Sequence, residues 1–274
     1  MTPDEFASVA TLLRERSAIA IEPGKEYLVD SRLLPVAKRH GLASVSEFIA
    51  KLRVPGTYGL ADEVVEAMVT TETSFFRDVQ PFDTLRKTVL PELIAARRSE
   101  RKLAIWCAAA SSGQEPYTIA IILREWFPEL ATWEITFQAT DISKTMLARC
   151  REGVFSQIEV NRGLPAALLV KWFKQDGSRW RIDDRLRSMI AFKPLNLAEL
   201  WPPMPAFDLI FLRNVMIYFE IETKREILRK MARALRPDGR LVLGGSETTL
   251  NLSDSFQREE SLKGGFYRLV SKGA

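Results

Sequence analysis

The stretch Ile105–Ile121, "IWCAAASSGQEPYTIAI", decides how this chain is read. A short apolar run, Leu103 to Cys107, has strand character and ends in six very small residues, Ala108 to Gly113, that lead straight into a helix. Pro116 falls in the first turn of that helix, where the N–H it lacks has no intrahelical partner anyway. In doubly wound α/β folds the turn after the first strand keeps its side chains small so that a ligand can approach the backbone. A pyrophosphate loop would read G-x-G-x-x-G; one glycine and three alanines stand here instead. That pattern fits a ligand without phosphates, or a tight turn with no ligand at all. Gln114 and Glu115 open the helix, and an acid at that point repels phosphate and attracts a cation.

Working outward, strands and helices alternate. Residues 81–98 are helical, and "WEITFQATD" (133–141) alternates Ile135, Phe137 and Ala139 like a strand. Residues 143–151 form a helix with Ser143 as its cap. "FDLIFLRN" (207–214) is a buried strand and 222–235 a strongly periodic helix; "RPDG" (236–239) is a turn, and "RLVLGG" (240–245) and "GGFYRLVSK" (264–272) are strands. Such alternation predicts an open, mostly parallel sheet with right-handed crossovers. Residues 154–195 interrupt the rhythm: "LPAALLVKWF" is helical, and "SRWRIDDRLRSMIAFKPLNL" reads as two strands around "DDR", a small inserted antiparallel unit. The first 72 residues read as short amphipathic helices, with Phe6, Val9, Leu12 and Leu13 on one face of the first, and with Pro55 and Gly56 punctuating a later loop. The expected organisation is a helical domain, 1–72, and an α/β domain, 73–274, that carries the insertion.

Composition narrows the chemistry. Apolar residues make up 46% and charged residues 27% of 274, ordinary for a soluble globular protein. No apolar run reaches the roughly 20 residues of a membrane span, and Asp4 and Glu5 stand where a secretory signal carries positive charge, so a cytoplasmic location is expected. Cys107 and Cys150 read as inert buried thiols, and the lone His40 as a helix-end residue before Gly41. This scarcity removes zinc sites and histidine-based triads. The charge of +4 is uneven: Arg32, Lys38, Arg39, Lys51 and Arg53 face only Glu47 over residues 32–53, and six cations lie between Arg86 and Lys102. These runs read either as solvated faces or as a docking surface for an acidic partner.

Asp141 ends the second predicted strand, 28 residues after Gly113. An acid at the end of that strand is where doubly wound folds hold ribose hydroxyls; a helix-start residue before Ser143 is the plainer reading. A ribose acceptor, a small-residue turn and a carboxylate for a cation together describe S-adenosylmethionine, whose sulfonium and ammonium are positive and whose ribose carries no phosphate.

"TETSFFRD" (71–78), "CAAASSGQEPYTIAI" (107–121), "ATDIS" (139–143), "PLNL" (194–197), "FDLIFLRNVMIYF" (207–219) and "LRPDGRLVLGGSE" (235–247) resemble, in order, the motifs of chemotaxis receptor methyltransferases, the CheR family. The resemblance implies an α/β fold: a Rossmann-like methyltransferase sheet with a small all-helical N-terminal domain and an inserted small antiparallel β-subdomain. It further implies methyl transfer from S-adenosylmethionine, released as S-adenosylhomocysteine, to glutamate side chains on chemoreceptor helices. Carried over, Thr73, Arg77 and Ala109 contact the cofactor or shape its pocket, with Thr71 where the family has Asn. Glu115 holds the cofactor's amino-acid end, next to Gln114 where the family has Glu. Asp141 takes the ribose, Asn196 and Leu197 lie over the adenine, and Arg213, Asn214 and Tyr218 line the methyl-transfer site. Arg77 and Tyr218 are the residues implied to align the receptor carboxylate, while Phe75 and Phe76 pack and fix their neighbours. Arg32, Lys38 and Arg39 are expected to dock the glutamate-rich receptor helices, with no nucleic acid, no membrane insertion and a monomer. The loop "KQDGSRWRI" (174–182) is short, with one glycine, so a pentapeptide tether is not expected. The alternatives are a methyltransferase acting on RNA or another signalling protein, and a non-catalytic S-adenosylmethionine-binding module.

Overall fold

The computed structural model describes residues 1–54 and 56–270, and the chain divides into two compact units. One comprises Met1–Thr70 with Tyr218–Thr223; the other comprises Thr71–Ile217 and the chain from Lys224 onward. The sequence reading sets the boundary at 72 and leaves 218–223 in the second domain; the contacts set it at 70 and draw those six residues into the helical unit. Pro55, expected in a loop, lies outside the described residues.

The helical unit holds α1 (Pro3–Ser17), α2 (Glu26–Arg39), α3 (Val45–Leu52) and α4 (Tyr58–Met68). Their starts are written locally. Thr2 and Glu5 form a reciprocal capping box at α1, and the Ser44 hydroxyl accepts the Glu47 N–H at α3. Helical spacing then buries Phe6, Val9 and Leu13 of α1, Val29, Leu33 and Val36 of α2, and Phe48 and Ile49 of α3. His40 caps α2 as expected, and its Nε2 lies 2.9 Å from Glu63 Oε1. The returning segment joins through an antiparallel bridge, Ile19 to Phe219. The Tyr218 carbonyl accepts the Ala20 N–H at 3.0 Å.

In the second unit the chain runs α5 (Gln80–Thr84), a π-helical turn (Leu85–Val89) and α6 (Leu90–Ala96), then β1 (Lys102–Ala108), α7 (Gln114–Trp126), β2 (Glu134–Asp141) and α8 (Lys144–Glu152). Next come β3 (Val154–Ser156), α9 (Gln157–Asn161), α10 (Ala166–Trp172), β4 (Phe173–Asp176), β5 (Arg179–Ile182), α11 (Asp184–Arg187) and β6 (Ala191–Pro194). The chain closes with β7 (Phe207–Leu212), α12 (Ile221–Ala234, of which the second unit holds the part from Lys224 onward), β8 (Leu235–Leu243), β9 (Phe256–Arg258) and β10 (Phe266–Leu269). Seven strands form one sheet in the order β6-β2-β1-β7-β8-β10-β9. The first five are parallel, and β10 is antiparallel to both its neighbours. The last strand, expected over 264–272, is four residues long, and residues 271–272 lie outside the described part.

The sheet is buried on both faces, as a parallel sheet must be. Leu103, Ile105 and Cys107 of β1 belong to the main apolar cluster with Leu90, Leu93, Tyr117 and Ile121. Trp106, on the other face, packs against Trp201 and Phe207 at centroid distances of 5.0 and 5.4 Å.

Two local readings are corrected. The two strands read in "SRWRIDDRLRSMIAFKPLNL" go to different sheets: β5 lies between β3 and β4 in the small antiparallel sheet, whereas β6 pairs parallel with β2. The short helix α11, capped by Asp183, redirects the chain, and Phe192 of β6 packs on Tyr117 at 5.8 Å. "RPDG" is not a separate turn but an irregularity inside β8, where the register to β7 jumps between Phe207 and Leu209. Its Asp238 grips Arg97 of α6's end through two bonds of 2.8 and 2.5 Å, and Arg97 Nε reaches the fully buried Asp208 at 2.8 Å.

Candidate active site

Register alone lines up one edge of the sheet. Ala108 pairs with Thr140 and with Leu212, Asp141 with Pro194, and Leu212 with Leu243. The residues that follow these strand ends therefore share the sheet's carboxyl edge, where open α/β sheets bind ligands. Ala109, Asp141, Asn196, Leu197, Arg213 and Asn214 all lie in or just past this row.

The small-residue turn is bent as its composition implies. Ala109 (φ 67°) and Ser111 (φ 50°) adopt left-handed backbone conformations, and Gly113 (φ 99°) starts α7. The Asp141 carboxylate braces the turn: one oxygen accepts the Ser111 N–H at 2.7 Å and the other the Ser143 N–H at 2.9 Å. The Ser111 hydroxyl donates to the Thr71 carbonyl at 2.7 Å, which brings the "TETSFFRD" segment onto the same edge. Asn196 lies beyond the Asp141–Pro194 pair, and its side chain closes on its own loop through the Ala198 N–H at 3.0 Å. Leu197 is buried, and its carbonyl accepts from Lys230 and from the Trp201 indole.

Glu115 and Arg213 form the charged centre. Arg213 Nη1 lies 2.7 Å from Glu115 Oε2, and Nη2 lies 2.7 Å from Asp78 Oδ2 and 3.2 Å from the Arg77 carbonyl. Burial pushes the Glu115 carboxyl above the ordinary carboxylate range, and the Arg213 charge and hydrogen bond oppose that shift. Gln114, buried beside it, accepts the Ser112 hydroxyl at 2.8 Å.

The "TETSFFRD" turn is held by the core beneath it. Phe75 is fully buried against Phe155 and Phe173, at 5.1 and 5.6 Å. The Phe76 N–H donates to Thr118 Oγ1 at 3.1 Å. Three consecutive-region residues, Phe76 (φ 48°), Asp78 (φ 68°) and Val79 (φ 51°), sit in left-handed backbone, which costs energy for side chains other than glycine. Thr73 and Arg77 are half-buried in this turn, and Arg77 donates to the Glu72 carbonyl at 3.0 Å. Tyr218 belongs to the helical unit. Cys107 and Cys150 are buried near the turn, and burial pushes both thiols up.

Sequence reasoning passed over three residues here. Asp78 sits inside the quoted motif and anchors Arg213. Thr118 sits one helical turn past Gln114 and fastens Phe76. Glu247 closes the motif "GGSE" and binds the loop after β7. Asp78 stands in the quoted motif, but its partner Arg213 is 135 residues away; the other two act on backbone groups and leave no pairing signature.

Among the described buried side-chain nitrogens and oxygens, Arg213 Nε is the one without a hydrogen-bond partner. A buried donor left without a partner beside an acid fits a ligand that carries both a carboxylate and a cation. S-adenosylmethionine carries both at its amino-acid end, and Asp141 lies on the same edge of the sheet.

Comparison with known proteins agrees. Residues 71–264 match the CheR methyltransferase SAM binding domain, and residues 4–69 match the CheR methyltransferase all-alpha domain. "Chemotaxis protein methyltransferase 1" of Pseudomonas aeruginosa is 38% identical over 269 residues, covering 96% of this chain and 97% of the relative. "Chemotaxis protein methyltransferase" of Vibrio parahaemolyticus is 37% identical over 273 residues, covering 98% of each. "Chemotaxis protein methyltransferase Cher2" of Pseudomonas putida is 35% identical over 268 residues, covering 96% and 97%. The chain belongs to the CheR family of S-adenosylmethionine-dependent chemotaxis methyltransferases.

Proposed function

We propose that this protein methylates glutamate side chains on the cytoplasmic helices of chemoreceptors, forming γ-carboxyl methyl esters. When bound, S-adenosylmethionine supplies an electrophilic methyl group on a positively charged sulfur. A receptor glutamate with an ordinary pKa of ~4.3 is ionised at neutral pH, so the site has no proton to remove. Its work is to orient the carboxylate and strip part of its water.

Arg77 carries this reading. The residue is half-buried, and its guanidinium has five N–H donors, one of which goes to the Glu72 carbonyl. The remaining donors suit a carboxylate. Tyr218 is assigned the same aligning role from the family resemblance. Glu115 and Arg213 serve the cofactor's amino-acid end, Asp141 its ribose, and Asn196 and Leu197 its adenine, with Thr71, Thr73, Ala109 and Asn214 shaping the pocket.

Lys38 and Arg39 are exposed on α2 and are our candidates for docking the acidic receptor helices. Arg32 contributes by shaping that surface: its guanidinium donates to the Met68 and Val69 carbonyls at 2.6 and 3.3 Å, at the end of α4. We further propose a cytoplasmic monomer that works without a pentapeptide tether, because the β4–β5 hairpin closes through Gly177 and Ser178 alone. Nanomolar-to-micromolar binding of such a peptide in calorimetry would overturn that last point.

The test uses labelled S-adenosylmethionine and receptor cytoplasmic fragments. Label is expected in the fragments and is released as volatile methanol in mild base, with Arg77→Ala slower by about 100-fold, the scale of a misplaced reactant. Base-stable label would refute the glutamate assignment, and equal rates in the two proteins would refute the role given to Arg77.

A further inference from the structure

Glu247 lies four residues past the end of β8, and its carboxylate is saturated by backbone donors. Oε2 accepts the N–H groups of Asn214 and Gly244, both at 2.7 Å, and Oε1 accepts those of Val215 at 2.9 Å and Met216 at 2.7 Å. Three of these donors are successive, and Asn214 is left-handed at φ 58°. Successive N–H groups in such a turn form a concavity that binds anions. Here the chain fills its own anion site.

Gly244 shows how closely the parts are fitted. A Cβ there would lie 2.7 Å from Glu247 Oε2 and 2.9 Å from the Asn214 nitrogen, so no side chain fits without pushing the carboxylate out. The clamped segment begins immediately after Arg213, whose side chain is buried against Glu115 and Asp78. The Glu247 charge also adds to the burial that pushes Glu115 upward, which puts it within electrostatic reach of the start of α7.

We propose that Glu247 is a positioning residue: its carboxylate holds the Arg213–Ile217 loop in the shape that binds the cofactor and permits methyl transfer. The inference rests on this loop's place at the carboxyl edge and not on glutamate being the substrate. N–H bonds to a carboxylate are short and about twice as strong as neutral ones, and removing the acceptor leaves four partly buried donors unmatched.

The experiment compares the full-length protein with Glu247→Ala and Glu247→Gln, well below each melting temperature. Calorimetry measures S-adenosylhomocysteine binding, and a labelled-methyl assay measures kcat. Glu247→Ala is expected to weaken binding by at least about tenfold, the scale of one stranded charged hydrogen bond, with kcat falling as well. Formate, a small carboxylate that can enter the vacated concavity, is expected to restore part of both, whereas chloride at equal ionic strength restores neither. Wild-type binding and kcat in Glu247→Ala, or a loss that formate leaves unchanged, would overturn the proposal. Should Glu247→Ala fail to fold, Glu247→Gln keeps one acceptor oxygen and is expected to show an intermediate loss; unaltered binding in that variant would also overturn it. A wild-type protein that binds S-adenosylhomocysteine yet methylates no receptor would defeat the glutamate reading alone, since the binding comparison needs no receptor.

Discussion

Arg213 joins Glu115 at 2.7 Å with both side chains nearly closed off from solvent, and its second amine holds Asp78 at the same distance. One guanidinium thus ties the end of β7 to the first turn of α7 and to the turn that carries Arg77. A buried pair of this kind adds little net stability over apolar packing, but losing one partner strands the other at a cost of about 3–5 kcal/mol. Its value is geometric: three chain segments far apart in sequence meet at fixed distances.

The pair makes a pH-dependent signature. Because burial holds the Glu115 proton more tightly in the folded protein than in the unfolded chain, its contribution to stability is full below the ordinary carboxylate pKa of ~4.3. That contribution is lost as pH rises through the raised folded value. Glu115→Gln has no such loss. The melting-temperature difference, variant minus wild type, is therefore expected to become more positive as pH rises from about 4 to about 7. Thermal melts across that range check it, and a flat or falling difference would mean that Arg213 outweighs burial.

Asp141 is expected to show its role in affinity. Asp141→Asn keeps one acceptor oxygen and turns an NH2 group toward the N–H of Ser111 or of Ser143, both now bound to the carboxylate. Hydrogen bonds to charged groups contribute about 1.5–3 kcal/mol, so S-adenosylhomocysteine binding is expected to weaken by about 10- to 100-fold. Calorimetry measures this directly. An affinity within twofold of wild type would remove Asp141 from the cofactor site.

The fold was readable because its signals are periodic or compositional. The apolar run of β1, the alternation of β2 and the small-residue turn each reflect a local physical demand, and all three are where the sequence puts them. What stayed hidden depends on partners distant in sequence. β6 joins β2 rather than β5 and packs Phe192 on Tyr117, a partner that no local pattern encodes. Residues 218–223 group with the helices, where Ile19 bridges Phe219 and Arg14 pairs with Glu220, partners about 200 residues apart in sequence. Arg32 looked like a surface cation but spends its donors on the end of α4. Glu247 grips backbone N–H groups, and any residue at 214–216 apart from proline presents those.

Ala109 tests whether the turn carries strain. At φ 67° an alanine costs about 1–2 kcal/mol relative to right-handed backbone. Replacing it by glycine relieves that cost but frees the unfolded chain, which takes back about 0.4–1 kcal/mol. Ala109→Gly is expected to raise the unfolding free energy in urea by roughly 0.5 kcal/mol with an unchanged m-value. A loss of stability would mean that the methyl group packs usefully in the turn.

Gly163 tests how the insertion supports the turn that carries Arg77. Its φ of +88° already disfavours any side chain, and a Cβ there would overlap the carbonyl oxygen of Phe75. That oxygen belongs to the backbone of a fully buried residue, so it cannot swing away as a flexible side chain could. Gly163→Ala must therefore shift either the 161–164 loop or the "TSFF" turn, at a cost of about 2–4 kcal/mol from overpacking and backbone strain together. If the turn yields, kcat falls more than S-adenosylhomocysteine affinity does, because Arg77 moves while the Glu115–Arg213 and Asp141 contacts stay. If the loop yields, the melting temperature falls and kcat measured in the cold is retained. An alanine variant as stable as wild type would show that neither segment is held as tightly as the packing implies.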